Sequence, residues 1–389
     1  MILSILKVTI REWKRIFRFP VYYLALLVLP PVLCVFYAGI YSRHFVKDLP
    51  VAIWDDAQSL LSRQFTFMLE QTETIHITQQ IKSEAALQAG LRHGTIMAAI
   101  HFPKRMDEHI KSRQPVTITV YTNVSFLIPS KLLYKDAAQV LLTAAGGVQL
   151  SKFVKTGMPA GKAMALVMPV KLQAFTLYNP RYDYMQYLVP GLIVVVIQMM
   201  MIMVSALAVN YEYHTGTMDD LYVTAQGSAS NAIAGKALAL LGIAWLDYFM
   251  VTLVIFPLFA SGALYVDGQL FVIYTLLVVA CISLGLMVSA ILKDLLLAAD
   301  VGIFYTSPAF VFSGFTFPRW GMPWYDQYYA ALMPLTPFVD AFFKAYFMDL
   351  PLRYMWPEMA HMLVFPVIAL PLAIVFLQRS MHTLKQQHA

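Results

Sequence analysis

The pattern of apolar and polar positions changes abruptly at two points along the chain, near residues 42 and 183. Long apolar runs dominate before the first point and after the second, whereas polar and apolar stretches alternate between them. A run of about 20 apolar residues is long enough to cross the hydrocarbon core of a bilayer. The pattern therefore predicts a helical membrane protein with one large polar insertion.

Six apolar runs have this length, and each predicts a membrane-spanning helix. The runs are 21–41, 184–209, 237–262, 270–292, 295–317 and 359–377. With its preceding residues the first span covers 19–41, and the other five form one transmembrane domain over 184–377. Pro30-Pro31 in the first span predicts a kink, which neighbouring helices must accommodate. The fold class is therefore an all-α transmembrane bundle of six spans.

Residues 1–18 predict an amphipathic "elbow" helix in the membrane interface. Apolar side chains recur at steps of three and four, and basic side chains fill the opposite side. We expect the basic face of this helix to contact lipid headgroups. Positive charge stays on the cytoplasmic side, and Arg379 and Lys385 lie in the tail, 378–389. Both termini are therefore predicted to be cytoplasmic.

Residues 42–183 predict an inserted, extracytoplasmic (periplasmic) α/β domain. The predicted strands are 51–54, 75–78, 96–102 and 116–121, and the predicted helices are 58–70, 83–91, 103–111 and 131–155. This alternation is typical of an α/β unit with its own core. One span separates the domain from a cytoplasmic N-terminus, and long polar loops are translocated in spite of positive charge.

The composition excludes several other classes of protein. Hydrophobic residues make up 59% of the chain and charged residues 13%, against about 45–50% and about 25% in soluble domains. A cytosolic enzyme and a disordered chain are thereby excluded. The net charge of +6 comes without a basic block interleaved with aromatic residues, so we expect no nucleic-acid partner. Both cysteines, Cys34 and Cys281, lie in apolar runs, so no disulfide supports the polar domain.

No motif for nucleotide or metal chemistry occurs in the sequence. Gly161-Lys162 and Gly235-Lys236 are both followed by alanine and lack the earlier glycine of a phosphate-binding loop. His101, Glu108 and His109 lie close in sequence, but their spacing matches no metal site. We therefore expect a chain that is not an enzyme and contains no cofactor or metal of its own.

The polar loop after the second span, residues 211–224, is acidic although the topology places it in the cytoplasm. Gly216-Thr217 interrupts the chain, and Thr217 is a suitable N-cap for a short helix. Asp219 and Asp220 would then lie in the first turn, where the helix dipole favours negative charge. Such a helix would serve to dock a soluble partner; an ordinary capped connector is the alternative that the residues leave open.

This loop resembles the Glu-x-Glu-x-Gly-Thr-x-Glu-x-Leu-x-Val-Thr-Pro signature of ABC-2-type transporter permeases. The matching or conservatively substituted positions are Glu212, Gly216, Thr217, Asp219, Leu221, Val223 and Thr224. Tyr213, His214 and Ala225 depart from the signature. Three other stretches are similar to the family: 179–192 before the loop, and 313–323 and 334–338 after it. All four follow the order of the family. The resemblance covers essentially the whole chain and is to bacterial multidrug and small-molecule exporters.

The resemblance implies that the chain is the transmembrane permease subunit of an ATP-binding cassette exporter in the bacterial inner membrane. Such a subunit moves an amphiphilic or hydrophobic, drug-like small molecule outward. Its implied partners are a second permease subunit, identical or paralogous, and a cytoplasmic ATPase dimer that binds ATP and Mg²⁺. Membrane lipid surrounds the permease, and a periplasmic adaptor is a further candidate partner. Residues 211–224, here named the coupling loop, then contact the ATPase. The implied coupling residues are Glu212, Gly216, Thr217, Asp219, Asp220 and Leu221.

The resemblance also implies short outer helices before the last span, residues 318–356, here named the re-entrant region. In the family these helices close the exit. We expect Gly314, Phe315, Phe317 and Phe338 to form an outer gate, an apolar plug between the paired subunits. A passive aromatic belt at the membrane interface is the alternative.

Asp247 lies near the middle of the third predicted span, where a charged side chain is costly and normally faces protein or a water-filled cavity. It is either an intramembrane contact for a cation or substrate, or a packing residue with Tyr or Ser hydrogen-bond partners. Two other functions stay open: a non-transporting mechanical transducer that acts on a periplasmic partner, and an ion-coupled secondary transporter. Six spans argue against the first, and the absence of inverted repeats argues against the second.

Overall fold

The structure is a computed structural model that describes residues 1–43, 45–112, 114–170, 175–180, 182–259 and 267–387, with side chains as far as residue 382. The chain divides into two compact units. One unit comprises Met1–His44 and Thr176–Ala389, and the other comprises Phe45–Phe175. The apolar runs of the sequence lie in the first unit, and nearly all of the polar insertion forms the second.

Six helices among the described residues are long and apolar enough to cross a membrane. They are Pro20–Ile40, Tyr184–Ala208, Ala229–Phe259, Gly268–Ile291, Leu295–Phe312 and Trp356–His382, named the first to sixth spans in that order. Each overlaps one predicted span, so the prediction of a multi-pass helical membrane protein is confirmed. The third span starts at Ala229 rather than 237 because the Ser228 side chain caps it, accepting a hydrogen bond from the Asn231 backbone. The predicted positions 260–262 lie outside the described residues.

Three of the spans are interrupted helices. The first consists of Pro20–Tyr23, a π-helical turn Leu24–Val28 and Leu29–Ile40. The third consists of Ala229–Met250, a π-helical turn Val251–Ile255 and Phe256–Phe259, and the fifth of Leu295–Thr306 and Ala309–Phe312. The π-helical turn in the first span lies directly before Pro30-Pro31, where the helix must lose backbone hydrogen bonds.

Small residues allow close packing between spans. The fourth span packs against both the second and the sixth. A Cβ atom added at Gly285 would lie 2.4 Å from the Ser205 Cβ atom and 2.6 Å from the Ile202 carbonyl oxygen. Glycine at this position therefore lets the fourth span reach the backbone of the second, as small residues do between helices in membranes.

The N-terminal helix, Ile2–Arg18, packs along the beginning of the third span. Its apolar stripe is the exposed side, and its buried side is mostly polar. The exposed apolar residues are Leu3, Leu6, Ile10, Trp13 and Phe17, and the buried residues are Ser4, Val8, Thr9, Glu12, Arg15 and Ile16. The expectation that the basic face contacts headgroups is therefore wrong for Arg15, which is buried. The physical reason is that buried acceptors on other elements pair with this face.

The second unit contains a four-stranded sheet in the order β2-β1-β3-β4. The strands are β1 (Leu49–Asp55), β2 (Ile75–Gln80), β3 (Ala98–Phe102) and β4 (Thr119–Thr122), and each overlaps a predicted strand. β1 pairs in parallel with β2 and β3, and β4 is antiparallel to β3. The helices are Leu60–Glu70, Glu84–Arg92, Met106–Lys111, Leu127–Lys155 and Ala160–Val167.

Helices cover both faces of this sheet. Val51 and Ile100 belong to one buried cluster with Leu133 of the long helix. Ala52 and Ala99, whose side chains alternate to the other face, belong to a second cluster with Leu87. The unit therefore has the layered core that alternating strands and helices produce.

The described part of the re-entrant region is a series of short helices between the fifth and sixth spans. They are a 3₁₀ turn Arg319–Gly321, the α-helices Trp324–Ala331 and Leu335–Phe342, a π-helical turn Phe343–Phe347 and a 3₁₀ turn Leu352–Tyr354. Each is too short to cross a bilayer. Nearly every residue of Leu335–Phe342 is buried, so this helix belongs to the core of the first unit.

Candidate coupling site

The coupling loop folds into two short helices, Asn210–Thr215 and Met218–Thr224. Gly216 separates them with φ +67°, a left-handed conformation that glycine adopts without strain. Thr217 occupies the predicted N-cap position, but its side chain accepts no hydrogen bond from the helix. Its hydroxyl instead donates to Glu212 Oε2 at 2.5 Å. The predicted capping role of the Thr217 side chain is therefore wrong, because its hydroxyl is oriented towards the buried Glu212 carboxylate and not towards the helix.

Glu212 is buried, with only 1% of its surface exposed. Arg11 of the N-terminal helix donates to both of its carboxylate oxygens, at 2.8 and 2.7 Å. Lys236 at the beginning of the third span donates to the same carboxylate at 2.8 Å. Glu212 therefore connects three parts of the chain that are distant in sequence.

Lys236 is completely buried. Its ammonium group donates to Glu212 at 2.8 Å, to Glu12 at 2.8 Å and to the Ala208 carbonyl oxygen at 3.0 Å. An ammonium group has three donors, so this side chain is fully satisfied. A buried lysine requires such partners, since an unpaired charge in the interior is very costly.

Arg15 completes the arrangement. It donates to Glu12 and, at 3.0 Å, to the Ala208 carbonyl oxygen. Its guanidinium lies over the ring of Tyr211, 4.8 Å from the centroid, which is a cation–π arrangement. We name Arg11, Glu12, Arg15, Glu212 and Lys236 the charge cluster.

The charge cluster keeps Glu212 ionised. Burial by itself raises the pKa of this carboxyl, but the charge of Lys236 and hydrogen bonds from Arg11, Lys236 and Thr217 outweigh it and lower the pKa to about 2. For Arg11, burial lowers the pKa, and the hydrogen bond and charge of Glu212 raise it further than burial lowers it. Both groups are therefore charged at neutral pH, and their pairing persists over the physiological range.

The predicted coupling residues separate into two groups. Glu212 and Leu221 are buried, whereas Gly216, Asp219 and Asp220 are exposed and Thr217 is half-buried. Gly216, Asp219 and Asp220 are therefore accessible at the surface, whereas Glu212 and Leu221 lie in the interior of the first unit. Their coupling role stays a prediction.

Sequence reasoning missed four members of the charge cluster: Arg11, Glu12, Arg15 and Lys236. Two signals for them exist in the sequence. Glu12 is the single acid in an otherwise basic helix, and Lys236 directly precedes the apolar run of the third span. These signals do not show which charges pair, because Glu12 and Lys236 lie 224 residues apart in the chain.

Phe315 and Phe338, two of the predicted gate residues, lie in the core of the first unit. Phe315 is 2% exposed and stacks on Tyr187, whose ring centroid is 5.0 Å away. Its ring fills the space over Gly191, where a Cβ atom would lie 2.2 Å from it. Phe338 is also buried and lines the same small cavity as Phe315.

The other two predicted gate residues are placed differently. Phe317 is 52% exposed, and its ring lies over Gly321 rather than beside Phe315. Gly314 has φ +90°, and a Cβ atom there would lie 3.0 Å from Arg319 Cγ. The structure therefore brings Phe315 and Phe338 together and leaves Phe317 outside their cluster. Their role as a gate between subunits stays a prediction.

Asp247 is fully buried, and neither of its carboxyl oxygens has a hydrogen-bond partner within the described part of the chain. The hydroxyl of its neighbour Tyr248 also lacks a partner there. Within the described residues, the structure therefore shows no Tyr or Ser hydrogen bond of the kind that the packing alternative expects. The role of Asp247 stays a prediction. An unpaired buried polar group is costly and calls for a functional explanation.

Metal binding finds no support among the residues that the structure describes. No group of three or more His, Cys, Asp or Glu side chains with metal-binding geometry occurs in them. His101 instead contacts Asp56 at 3.1 Å and packs against the Trp54 ring.

Comparison with known proteins shows the family. The sequence model of the ABC-2 family transporter protein matches residues 21–375. Because the match covers most of the sequence, the chain belongs to the ABC-2 transporter family, and the predicted family is confirmed.

Two curated relatives match part of the chain. The probable multidrug ABC transporter permease YbhR of Escherichia coli strain K12 is 29% identical over 191 residues, which is 48% of this chain and 50% of that protein. The protein of the same name from Escherichia coli O157:H7 gives the same figures. The chain thus spans about half the length of the curated relatives it matches.

Proposed function

We propose that this chain is the transmembrane permease subunit of an ATP-binding cassette exporter in the bacterial inner membrane. It moves an amphiphilic or hydrophobic small molecule outward, and a separate ATPase dimer supplies the energy. The charge cluster is the observation that carries this proposal, because it connects an exposed acidic loop directly to a membrane-spanning helix. Family membership and the multidrug permeases among the relatives support it.

The mechanism begins at the coupling loop. Asp219 and Asp220 lie in the first turn of the helix Met218–Thr224 and face outward. A basic groove on the ATPase would complement these carboxylates and fix the register of docking. Movement of the ATPase would then displace the loop.

The charge cluster transmits this displacement. Glu212 follows the second span directly, Lys236 lies in the third, and Glu12 belongs to the N-terminal helix. Breaking these buried pairs is strongly unfavourable, so the three elements move together rather than separately. The π-helical turn Val251–Ile255 lies further along the third span, at a place where a helix can bend.

At the other end of the spans, Phe315 and Phe338 form the predicted gate. Phe315 packs on Gly191 of the second span, the span that leads to the coupling loop. Displacement of the second span would therefore change the packing of the Phe315 ring on Gly191. A second permease subunit would complete the exit, and the two chains would share the ATPase dimer.

The test is to replace Asp219 and Asp220 together with Lys. Both side chains are exposed, so insertion and folding should persist, while association with the ATPase and ATP-driven transport in vesicles should fall at least tenfold. Replacing Glu70 and Glu84, exposed acids of the second unit, with Lys is the matched control and should change neither. Normal transport by the Asp219/Asp220 variant would reject the coupling assignment.

The Asp247 carboxyl, which has no hydrogen-bond partner among the described residues, favours a second function, an ion-coupled carrier. Transport measured in vesicles that contain the permease without its ATPase distinguishes the ion-coupled carrier from the ATP-driven exporter. Transport driven by an ion gradient alone, and abolished by Asp247→Asn, would establish the carrier. Transport that requires the ATPase and ATP would exclude it.

A further inference from the structure

A cavity of about 790 Å³ lies between the start of the second span and the re-entrant region. All of its lining residues belong to the first unit. Aromatic side chains form one wall, and the ion pair Arg319–Asp340 lies in the other. A cavity of this size with an apolar wall and a few convergent polar groups is typical of a small-molecule site.

The aromatic wall consists of Tyr187, Phe343 and Phe347. Tyr187 stacks on Phe343 with ring centroids 6.0 Å apart and an angle of 5° between the planes. Phe347 lies 5.8 Å from Phe343 and 6.2 Å from Tyr187. These rings give the cavity an apolar aromatic surface on which the hydrophobic part of a ligand can pack.

The two members of the ion pair are fixed to different degrees. Asp340 belongs to the helix Leu335–Phe342, whose other residues are buried, so its carboxylate is held in place. Arg319 belongs to the three-residue turn Arg319–Gly321, which has no buried residue. The guanidinium is therefore the partner that can leave. The nearby Lys344 pairs with Glu358 at 2.7 Å and supplies no uncompensated charge.

We propose that this cavity binds an amphiphilic organic cation, whose charged group replaces Arg319 at the Asp340 carboxylate while its apolar body packs on Tyr187, Phe343 and Phe347. An anion would instead have to displace Asp340, which is held by a helix whose other residues are buried. The inference that this cation is the exported substrate rests on the proposed function. The inference that the cavity binds the cation does not depend on that function.

The test measures equilibrium binding of tetraphenylphosphonium and tetraphenylborate to the purified full-length chain in detergent, without ATPase. These probes have nearly the same size and shape and carry opposite charges. We expect saturable binding of the phosphonium only. Asp340→Asn should weaken it at least tenfold, and Arg319→Gln should strengthen it several-fold because the carboxylate is then free.

Asp326→Asn is the matched control. Asp326 lies in the neighbouring helix Trp324–Ala331 and does not line the cavity, so the same charge change there should leave phosphonium affinity unaltered. Size-exclusion profiles identify any variant that fails to fold, and Arg319→Gln tests the inference independently of Asp340→Asn.

Three results would overturn the inference: no saturable binding of the phosphonium, preferential binding of the borate that is lost in Arg319→Gln, or unaltered phosphonium affinity in folded Asp340→Asn. Failure of ATP-driven transport with phosphonium binding intact would instead reject the proposed function. The two failures are therefore distinguishable.

Discussion

Lys236 shows how one buried charge determines local structure. Its ammonium group lies between the carboxylates of Glu12 and Glu212, and none of it is exposed. Replacing such a cluster as a whole with apolar residues is often tolerated, whereas removing one member leaves unpaired charges in the interior. The cluster is therefore sensitive to single changes.

We predict that Lys236→Met destabilises the protein by about 3–5 kcal/mol, because two buried carboxylates lose their shared cation. Thermal unfolding in detergent measures this effect. Lys162→Met is the matched control, because Lys162 also lies between a glycine and an alanine but is exposed. This substitution should lower the free energy of unfolding by less than about 0.5 kcal/mol. Equal effects of the two substitutions would contradict the role given to the cluster.

Glu212 should make the protein sensitive to acid. Its pKa is about 2 in the folded state, against 4.5 for the ordinary side chain. The stabilisation is therefore fully present above pH 4.5 and disappears as the pH falls towards 2, a loss on the order of 3 kcal/mol. Unfolding midpoints measured between pH 5 and pH 2 should fall less steeply in Glu212→Gln than in the native chain. Glu84→Gln, at an exposed site, should retain the native slope; a parallel fall in all three proteins would refute the assignment.

At the scale of elements, the N-terminal helix is attached to the third span by close backbone approach as well as by charge. A Cβ atom at Gly235 would lie 2.5 Å from Val8 Cβ and 2.9 Å from the Ile5 carbonyl oxygen. Thr9 donates to the Gly235 carbonyl oxygen at 3.1 Å, and Trp13 donates to that of Ala239 at 2.8 Å. These contacts bring Arg11 and Glu12 to Lys236.

Gly235→Ala should therefore separate the two helices and destabilise the protein by about 1–3 kcal/mol, since overpacking forces backbone shifts. It should also reduce ATP-driven transport, because the charge cluster would be pulled apart. Gly161→Ala is the control, since nothing lies within 4 Å of a Cβ atom there, and it should be neutral or slightly stabilising. A Gly235→Ala variant as stable and as active as the native chain would contradict the claim that close packing at Gly235 holds the charge cluster together.

At the scale of the whole molecule, the prediction concerns topology: both termini inside, and the second unit outside. Cys34 and Cys281 are both buried, so the native chain should react little with a membrane-impermeant thiol reagent. Ser112 and Ser230 are exposed, and a cysteine introduced at each reports its side of the membrane. In intact spheroplasts the reagent should label Ser112→Cys and not Ser230→Cys. Labelling with the opposite preference would invert the proposed orientation.

The spans were predictable because the bilayer imposes a simple requirement on them. A spanning segment needs about 20 apolar residues in a helix, so hydropathy and length identify it. Their ends were less predictable. The fifth span ends at Phe312 rather than 317, because Gly314 is left-handed and turns the chain. A local dihedral angle of this kind leaves no trace in hydropathy.

The class of this protein follows from patterns that are local in the chain. The six apolar runs, the polar insertion and the ordered family motifs can all be recognised without knowledge of tertiary contacts. The surroundings of individual side chains, in contrast, depend on contacts between distant segments. The sequence predicts Glu212 as a surface acid of the coupling loop. In the structure it is buried, and hydrogen bonds from Arg11 and Lys236 keep its carboxylate ionised. Phe315 reads as part of a plug between subunits, yet it fills the space above Gly191 in its own chain. The burial and the ion pairing of a side chain depend on which distant segments come into contact, and the spacing of residues in the sequence does not show these contacts.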